Sequence, residues 1–206
     1  MQIDFNTNYV LEDNIAKLVP LTPGDYAHML PYALNEPELW DYSTQPGDGA
    51  RNMKQYLDSA LLGRASGQQY PFAVIDKRSN AFAGSTRFYN IQLEHETLEL
   101  GYTWYGKAFQ GTGLNKHCKY LMLQFAFEKL ESMRVEFRAD ARNTRSIAAM
   151  KSIGCTLEGT LRSHMPASDG HRRDSVILSI LKQEWEGGVK ERLYRKCYGE
   201  TGKEGA

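Results

Sequence analysis

The segment Phe109-Gln110-Gly111-Thr112-Gly113-Leu114-Asn115 restricts the fold of this chain more than any other stretch. Upstream, Leu98 to Tyr105 reads as a strand. Downstream, Leu114 to Leu130 reads as an amphipathic helix, with Leu114, Cys118, Leu121, Met122, Phe125 and Ala126 on one face. A strand that enters a helix through two glycines leaves the first backbone N–H groups of that helix uncovered. Those donors, with the positive end of the helix dipole, suit a phosphate or pyrophosphate. The loop lacks the Lys-Ser/Thr that a Walker loop places after its last glycine. It also lacks the third glycine of a dinucleotide fingerprint, because Lys116 stands there and the loop lies mid-chain. Taken alone, the loop reads most simply as a tight turn that uses the backbone freedom of glycine.

The rest of the chain bounds the alternatives. A length of 206 residues predicts one domain: a core over about 9–182, a C-terminal helix over about 183–198, and a tail over 199–206 that is expected to fray. Lys plus Arg (25) equals Asp plus Glu (25), so no net field recruits nucleic acid or an anionic membrane. Cys118, Cys155 and Cys197 are scattered and odd in number, which fits a reducing compartment better than a disulfide framework. The N-terminus does not read as a signal peptide, and no apolar run is long enough to span a bilayer, so the expected location is the cytoplasm. No metal-ligand pattern is apparent.

Along the chain, a strand ends at Leu18-Val19-Pro20-Leu21. Thr22 then reads as an N-cap, with Pro23 at the first helical position, Asp25 in the first turn, and Leu21 and Tyr26 placed as a staple. Residues 43–49 read as loop. Met53, Tyr56, Leu57, Ala60 and Leu61 follow at helical spacing, with Asp48 as cap. Strands are expected at Tyr70 to Asp76, Phe82 to Leu93 and Leu98 to Tyr105, forming an antiparallel meander. After the glycine loop and its helix come a strand at Arg134 to Asp140 and a helix from Asn143 to Ile153 stopped by Gly154. Strands at about 155–165 and 173–181 follow, joined by a loop containing Ser168-Asp169-Gly170, and then a last helix from Lys182. This order predicts an α+β fold in which the loop opens the central helix.

These residues resemble the Gcn5-related N-acetyltransferases, in the branch that includes the ribosomal-protein N-acetyltransferases RimJ and RimL. Gln110-Gly111-Thr112-Gly113-Leu114-Asn115 matches all but the last place of the family's Gln/Arg-x-x-Gly-x-Gly/Ala loop, and Asn115 is similar to a bacterial subgroup reading Gly-Thr-Gly-x-Asn. Further matches follow in family order: Pro71 to Asp76, Gly84-Ser85-Thr86-Arg87, Gly101 to Trp104, Arg142-Asn143-Thr144-Arg145-Ser146, Leu157 to Arg162, and Asp169 to Asp174. The resemblance covers about residues 9–195. It implies a mixed, mostly antiparallel central sheet flanked by helices. It also implies acetyl transfer from acetyl-CoA to an amine in a ternary complex, with no acyl-enzyme and no metal.

The resemblance implies a set of site residues. Gln110, Gly111, Thr112, Gly113, Leu114 and Asn115 are expected to hold the pyrophosphate. Tyr102, Thr103 and Trp104, on the strand before the loop, are expected to pair with the pantetheine arm. That strand should splay from Arg134–Asp140, with the thioester in the gap. Asn143 is expected either to meet the pantetheine or to serve as a helix N-cap. Glu99 is the first candidate for general base and His164 the second; their alternatives are an exposed carboxylate and a surface histidine. Met150 stands where many relatives carry a thiolate-protonating tyrosine, so Ser146 is the candidate substitute, its alternative being to cap its own helix. Cys118 reads as a core residue and Glu158 as structural. Arg162, His164, His171, Arg172 and Arg173 read either as an anion-contacting cluster or as a solvated face paired to Glu158, Asp169 and Asp174. Trp40 and Tyr42 are expected to wall the acceptor pocket. The acceptor is expected to be a protein N-terminal amine, a small amine or an amino acid, and a homodimer through the C-terminal helix is possible. The alternative reading is a non-catalytic acyl-CoA sensor or scaffold.

Overall fold

The structure, a computed structural model, describes residues 1–167 and 170–199. Strands β1 (Leu11–Glu12), β2 (Ala16–Pro20), β3 (Tyr70–Asp76), β4 (Ala81–Gln92) and β5 (Thr97–Tyr105) pair antiparallel in chain order, and β3 to β5 are the expected meander. Helices α1 (Tyr26–Asn35) and α2 (Gly49–Ala65) connect β2 to β3. At the start of α1 the Asp25 carboxylate accepts from the Thr22 backbone N–H at 2.7 Å and from its hydroxyl at 2.8 Å, fixing the turn that Thr22-Pro23 initiates.

After the glycine loop, α3 (Leu114–Gln124) runs back along the sheet and ends in a π turn over Phe125–Lys129. β6 (Arg134–Asp140) pairs parallel with β5, and α4 (Thr144–Ser152) follows. β7 (Thr156–Pro166), β8 (Arg172–Leu181), a short α5 (Lys182–Glu184) and α6 (Lys190–Tyr198) complete the described chain. The sheet order is β1-β2-β3-β4-β5-β6-β8-β7. The C-terminal segment is not one continuous helix, because Gly188 takes φ +129° between α5 and α6. No helix among the described residues is long and apolar enough to cross a membrane. Ser168, Asp169 and the expected frayed tail beyond Gly199 lie outside the described residues.

The sheet is packed on both faces. One face buries Leu98, Leu100, Tyr105, Val135 and Phe137 against α3. The other buries Trp104 and Ala73 with Met29, Trp40, Met53, Tyr56 and Leu57 from the α1–α2 side. A Cβ on Gly84 of β4 would lie 2.0 Å from the Trp104 carbonyl oxygen of β5. Only glycine therefore allows these two strands their close approach beside the site.

The edge strand β7 is solvent-exposed along most of its length and is tied inward by Glu158. The Glu158 carboxylate accepts from Arg134 Nη1 at 2.5 Å and Nη2 at 2.6 Å, and from the Ser179 hydroxyl at 2.6 Å. The Arg134 hydrogen bonds, followed by that of Ser179 and partly opposed by burial, draw the carboxyl from its ordinary 4.5 down to about 2. A lowered folded value makes this contribution present above the ordinary range and lost as pH falls toward about 2. The side chain is 37% exposed, so screening holds the contribution to under about 1 kcal/mol. Urea titrations should show the advantage of the wild type over Glu158→Gln shrinking steadily across that acid window. A constant difference with pH would remove this electrostatic account.

Candidate active site at the β5–β6 fork

Strand register creates an opening in the middle of the sheet. β5 and β6 pair only through Thr97–Arg134, Leu98–Val135 and Glu99–Glu136. Beyond that point β5 stays on β4, while β6 follows β8 as far as Asp140–Ser175. The sheet therefore forks at Glu99. On the β5 arm, Tyr102 and Thr103 together oppose the single residue Thr86, and Tyr102 takes φ +49°. This bulge re-aims the strand into the opening. It is pinned by Tyr56, whose hydroxyl donates to the Tyr102 carbonyl at 3.0 Å. It is pinned also by Arg87, whose guanidinium lies 4.1 Å from the Tyr102 ring centroid and 4.6 Å from that of Tyr56.

Two helix N-termini meet at the mouth of the fork. Gln110 donates from Nε2 to the Tyr105 carbonyl at 2.8 Å, and its Oε1 accepts from Arg145 Nη1 at 2.7 Å. This tethers the glycine loop to the first turn of α4. Arg78, held by Asp76, donates to the Thr112 carbonyl at 3.1 Å and to its hydroxyl at 3.2 Å. Gly111 and Gly113 have φ of +76° and +90°, and a Cβ on either would meet nothing within 4 Å. Among the described residues, the backbone N–H groups of Gly111, Thr112 and Gly113 donate to no protein acceptor. Asn115 Oδ1 is buried without a partner. Open space, free amides and an orphaned buried acceptor at the start of a helix fit a diphosphate with polar appendages.

The fork places the other expected residues unevenly. Glu99 is 5% exposed, which corrects the alternative of an exposed carboxylate. Its Oε1 accepts from Asn90 Nδ2 at 2.7 Å, and its Oε2 faces Arg138 Nε at 3.2 Å. Burial, followed by the nearby Glu99 carboxylate, holds the Tyr89 phenol above its ordinary range, so Tyr89 stays a neutral group beside Glu99. Asn143 stands at the head of α4, where its Oδ1 accepts from the Ser146 backbone N–H at 2.9 Å. The half-buried Ser146 thus lies at the β6 side of the mouth.

His164 Nδ1 is 2.9 Å from Ser175 Oγ. Ser175 pairs with Asp140, four residues along β6 from the Glu99–Glu136 pair, or about 13 Å along the strand. Glu99 and His164 therefore do not converge on one point. Leu114 has its side chain in the core and offers only its backbone to the mouth. The Tyr102 carbonyl is taken by Tyr56, and Trp104 is buried against Trp40, so these two face the α1–α2 side. Thr103 remains half-accessible in the fork.

Several surroundings differ from the sequence-based expectation. Arg173 is buried, donating to the Tyr42 carbonyl at 3.0 Å and to Ser175 Oγ at 3.1 Å, so it is not part of a solvated face. Arg172 donates to Ser163, and Glu158 pairs with Arg134 rather than with this cluster. Cys118 is fully buried, and its thiol is pushed up to about 12 by burial, which makes it an inert core group. Met150 is buried in the core. Exposed Tyr42 lines a groove with Pro46, Asn52, Arg142 and Pro166, on the side of the sheet that carries Trp40. Tyr89, Asn90 and Arg138 were not anticipated from the sequence, and the family resemblance, whose matching segments include Arg87 and a helix from Lys119, gave neither of those two a role. Arg87 and Lys119 are buried, Tyr89 and Arg138 half-buried and Asn90 exposed, so what gathers them around the fork is strand register and helix packing, which no local pattern displays.

Residues 16–156 match the family model described as an acetyltransferase (GNAT) domain. A Bacillus subtilis (strain 168) protein provisionally named ribosomal N-acetyltransferase YdaF is 34% identical over 134 residues, covering 65% of this chain and 67% of that protein. A solved structure from T. thermophilus, provisionally described as an acetyltransferase, aligns with a TM-score of 0.81 at 32% identity, over 92% of this chain and 97% of the other. Mycobacterium smegmatis RimJ, solved in complex with CoA-disulfide, shares the fold with a TM-score of 0.76 at 19% identity, over 90% and 92% of the two chains. The forked sheet is thus that of an acetyltransferase. The chain belongs to the GNAT family, whose members are N-acetyltransferases.

Proposed function

We propose that this protein transfers the acetyl group of acetyl-CoA to a primary amine by direct attack within a ternary complex. The observation that carries the reading is a fork that opens beyond Glu99 and has the uncovered amides of the glycine loop at its mouth. In this reading the diphosphate lies on Gly111, Thr112, Gly113 and the first amides of α3, with Asn115 close by. Arg78, Lys116 and Arg145 surround that loop with positive charge. The pantetheine arm runs into the fork past Thr103, Asn143 and Ser146. The acceptor approaches from the face that carries Glu99, Tyr89 and Arg138, through the groove beside Tyr42. Glu99 takes the ammonium proton, directly or through a water.

The acceptor is a protein N-terminal amine, a small amine or an amino acid. The provisional name of the Bacillus relative favours the first of these. Thiol release from acetyl-CoA, assayed over a panel of N-terminal peptides, amino acids and polyamines, tests the reading. Release with at least one acceptor is expected. Tight CoA binding with no release for any amine would replace it with a CoA-sensing role.

A further inference from the structure

Lys119, in the second turn of α3, is 6% exposed. Its Nζ donates to Thr103 Oγ1 on β5 at 2.9 Å and stands 5.8 Å from the centroid of the Phe137 ring on β6. Phe137 lies one residue past the last β5–β6 pair and Thr103 four residues past it on the opposite arm, so the ammonium spans the floor of the opened fork. The groups facing it are neutral. They are the Thr103 and Thr86 hydroxyls, 2.7 Å apart, the Phe137 ring, and the Cys118 and Cys155 thiols, both pushed up to about 12 by burial. Among the described residues no carboxylate pairs with Lys119. Burial lowers its ammonium to about 8.

A cation removed from water without a counter-anion is unfavourable, and proteins commonly avoid it. Here it is kept beneath an opening into which, on the acetyl-transfer reading, a thioester sulfur is delivered. That sulfur is neutral before reaction and anionic as it leaves.

We propose that the Lys119 ammonium, oriented by the Thr103 hydroxyl, stabilises and protonates the CoA thiolate as it departs. The inference rests on the acetyl-transfer reading above. As the amine nitrogen forms its bond to the acetyl carbon, the carbon–sulfur bond breaks and its electron pair passes to sulfur. One ammonium proton of Lys119 moves to that sulfur, giving CoA thiol and a neutral lysine amine. The proton lost by the acceptor goes to the base on the opposite face. Solvent then reprotonates Lys119 as the product leaves. A donor that titrates near the working pH is suited to such a transfer.

The test needs no acceptor. CoA bound to the intact protein is titrated by the ultraviolet absorbance of its thiolate, and the complex with desulfo-CoA is subtracted. The protein's own thiols do not interfere, since burial places Cys118 and Cys155 at about 12 and Cys197 at about 11. The bound thiol of the wild type should titrate about one unit or more below that of free CoA, as expected for a cation within a few ångströms. Lys119→Met should remove this depression and Lys119→Arg should keep it, with calorimetric CoA affinity little changed in both. Thr103→Val, which keeps the charge and loses the orienting hydroxyl, should show an intermediate value.

A wild-type thiol that titrates at or above the free value overturns the proposal, and so does a Lys119→Met complex that titrates like the wild type. Loss of CoA affinity in parallel with the shift would reassign Lys119 to holding the pantetheine. If the wild type binds no CoA, the acetyl-transfer reading itself falls. CoA binding with an unmoved thiol defeats only the role of Lys119.

Discussion

Gly113→Val should weaken CoA binding by roughly 30- to 1,000-fold while the fold survives. The magnitude comes from the hydrogen bonds at stake. A bond from an amide to a charged oxygen contributes about 1.5–3 kcal/mol, and a branched side chain at Gly113 denies the diphosphate one or two of them, about 2–4 kcal/mol in all. The Cβ would project into space that holds no protein atom within 4 Å, so the folded protein itself meets no clash. The φ of +90° adds backbone strain of roughly 1–2 kcal/mol, which a thermal melt reads separately as a lower midpoint. Gly113→Ala carries similar strain with less bulk and should fall between wild type and valine in affinity. Calorimetric titration with CoA decides the matter. Undiminished affinity in a folded valine variant would show that the diphosphate lies elsewhere.

The glycine loop was legible because its signal is local: two glycines at fixed spacing, a strand before and a helix after. For the same reason the bounds expected for β3 and β6 match the structure. Periodicity carried less for α3. The apolar face containing Leu114, Cys118 and Leu121 was evident, yet His117 and Tyr120 are buried as well, because α6 covers the side of the helix away from the sheet, and Lys119 is buried against Thr103 and Phe137 of the sheet itself. An amphipathic reading assumes one wet face, and α3 has little of one. Apolar spacing alone therefore does not mark Lys119 as buried. The splay of β5 from β6 was implied by the family resemblance rather than by any local pattern, and the parallel pairing that ends at Glu99–Glu136 became visible only in the structure. The neighbours of Glu99 come from β4 and β6, and their juxtaposition is a matter of register over many residues. The break at Gly188 was available in the sequence as Gly187-Gly188, but regular apolar spacing on either side masked it.

Glu99→Gln should lower kcat/KM by about 10²- to 10⁴-fold with the best acceptor, and it should abolish the acid limb of the pH–rate profile. The substitution keeps size and shape. The side-chain oxygen can still accept from Asn90, and Arg138 retains Glu136, to which its Nε donates at 2.7 Å. The arginine is therefore not left as an unpaired buried charge, and the thermal midpoint should move little. CoA affinity should be unchanged, because the glycine loop lies at the other end of β5. His164→Ala supplies the contrast. Its ring sits about 13 Å along β6 from the fork, so the acid limb should persist in that variant. If Glu99→Gln keeps the wild-type pH–rate profile, the proton leaves by another route. Loss of the limb only in His164→Ala would move the base to the β7–β8 side. Loss in Glu99→Gln alone would place proton removal where β5 and β6 part.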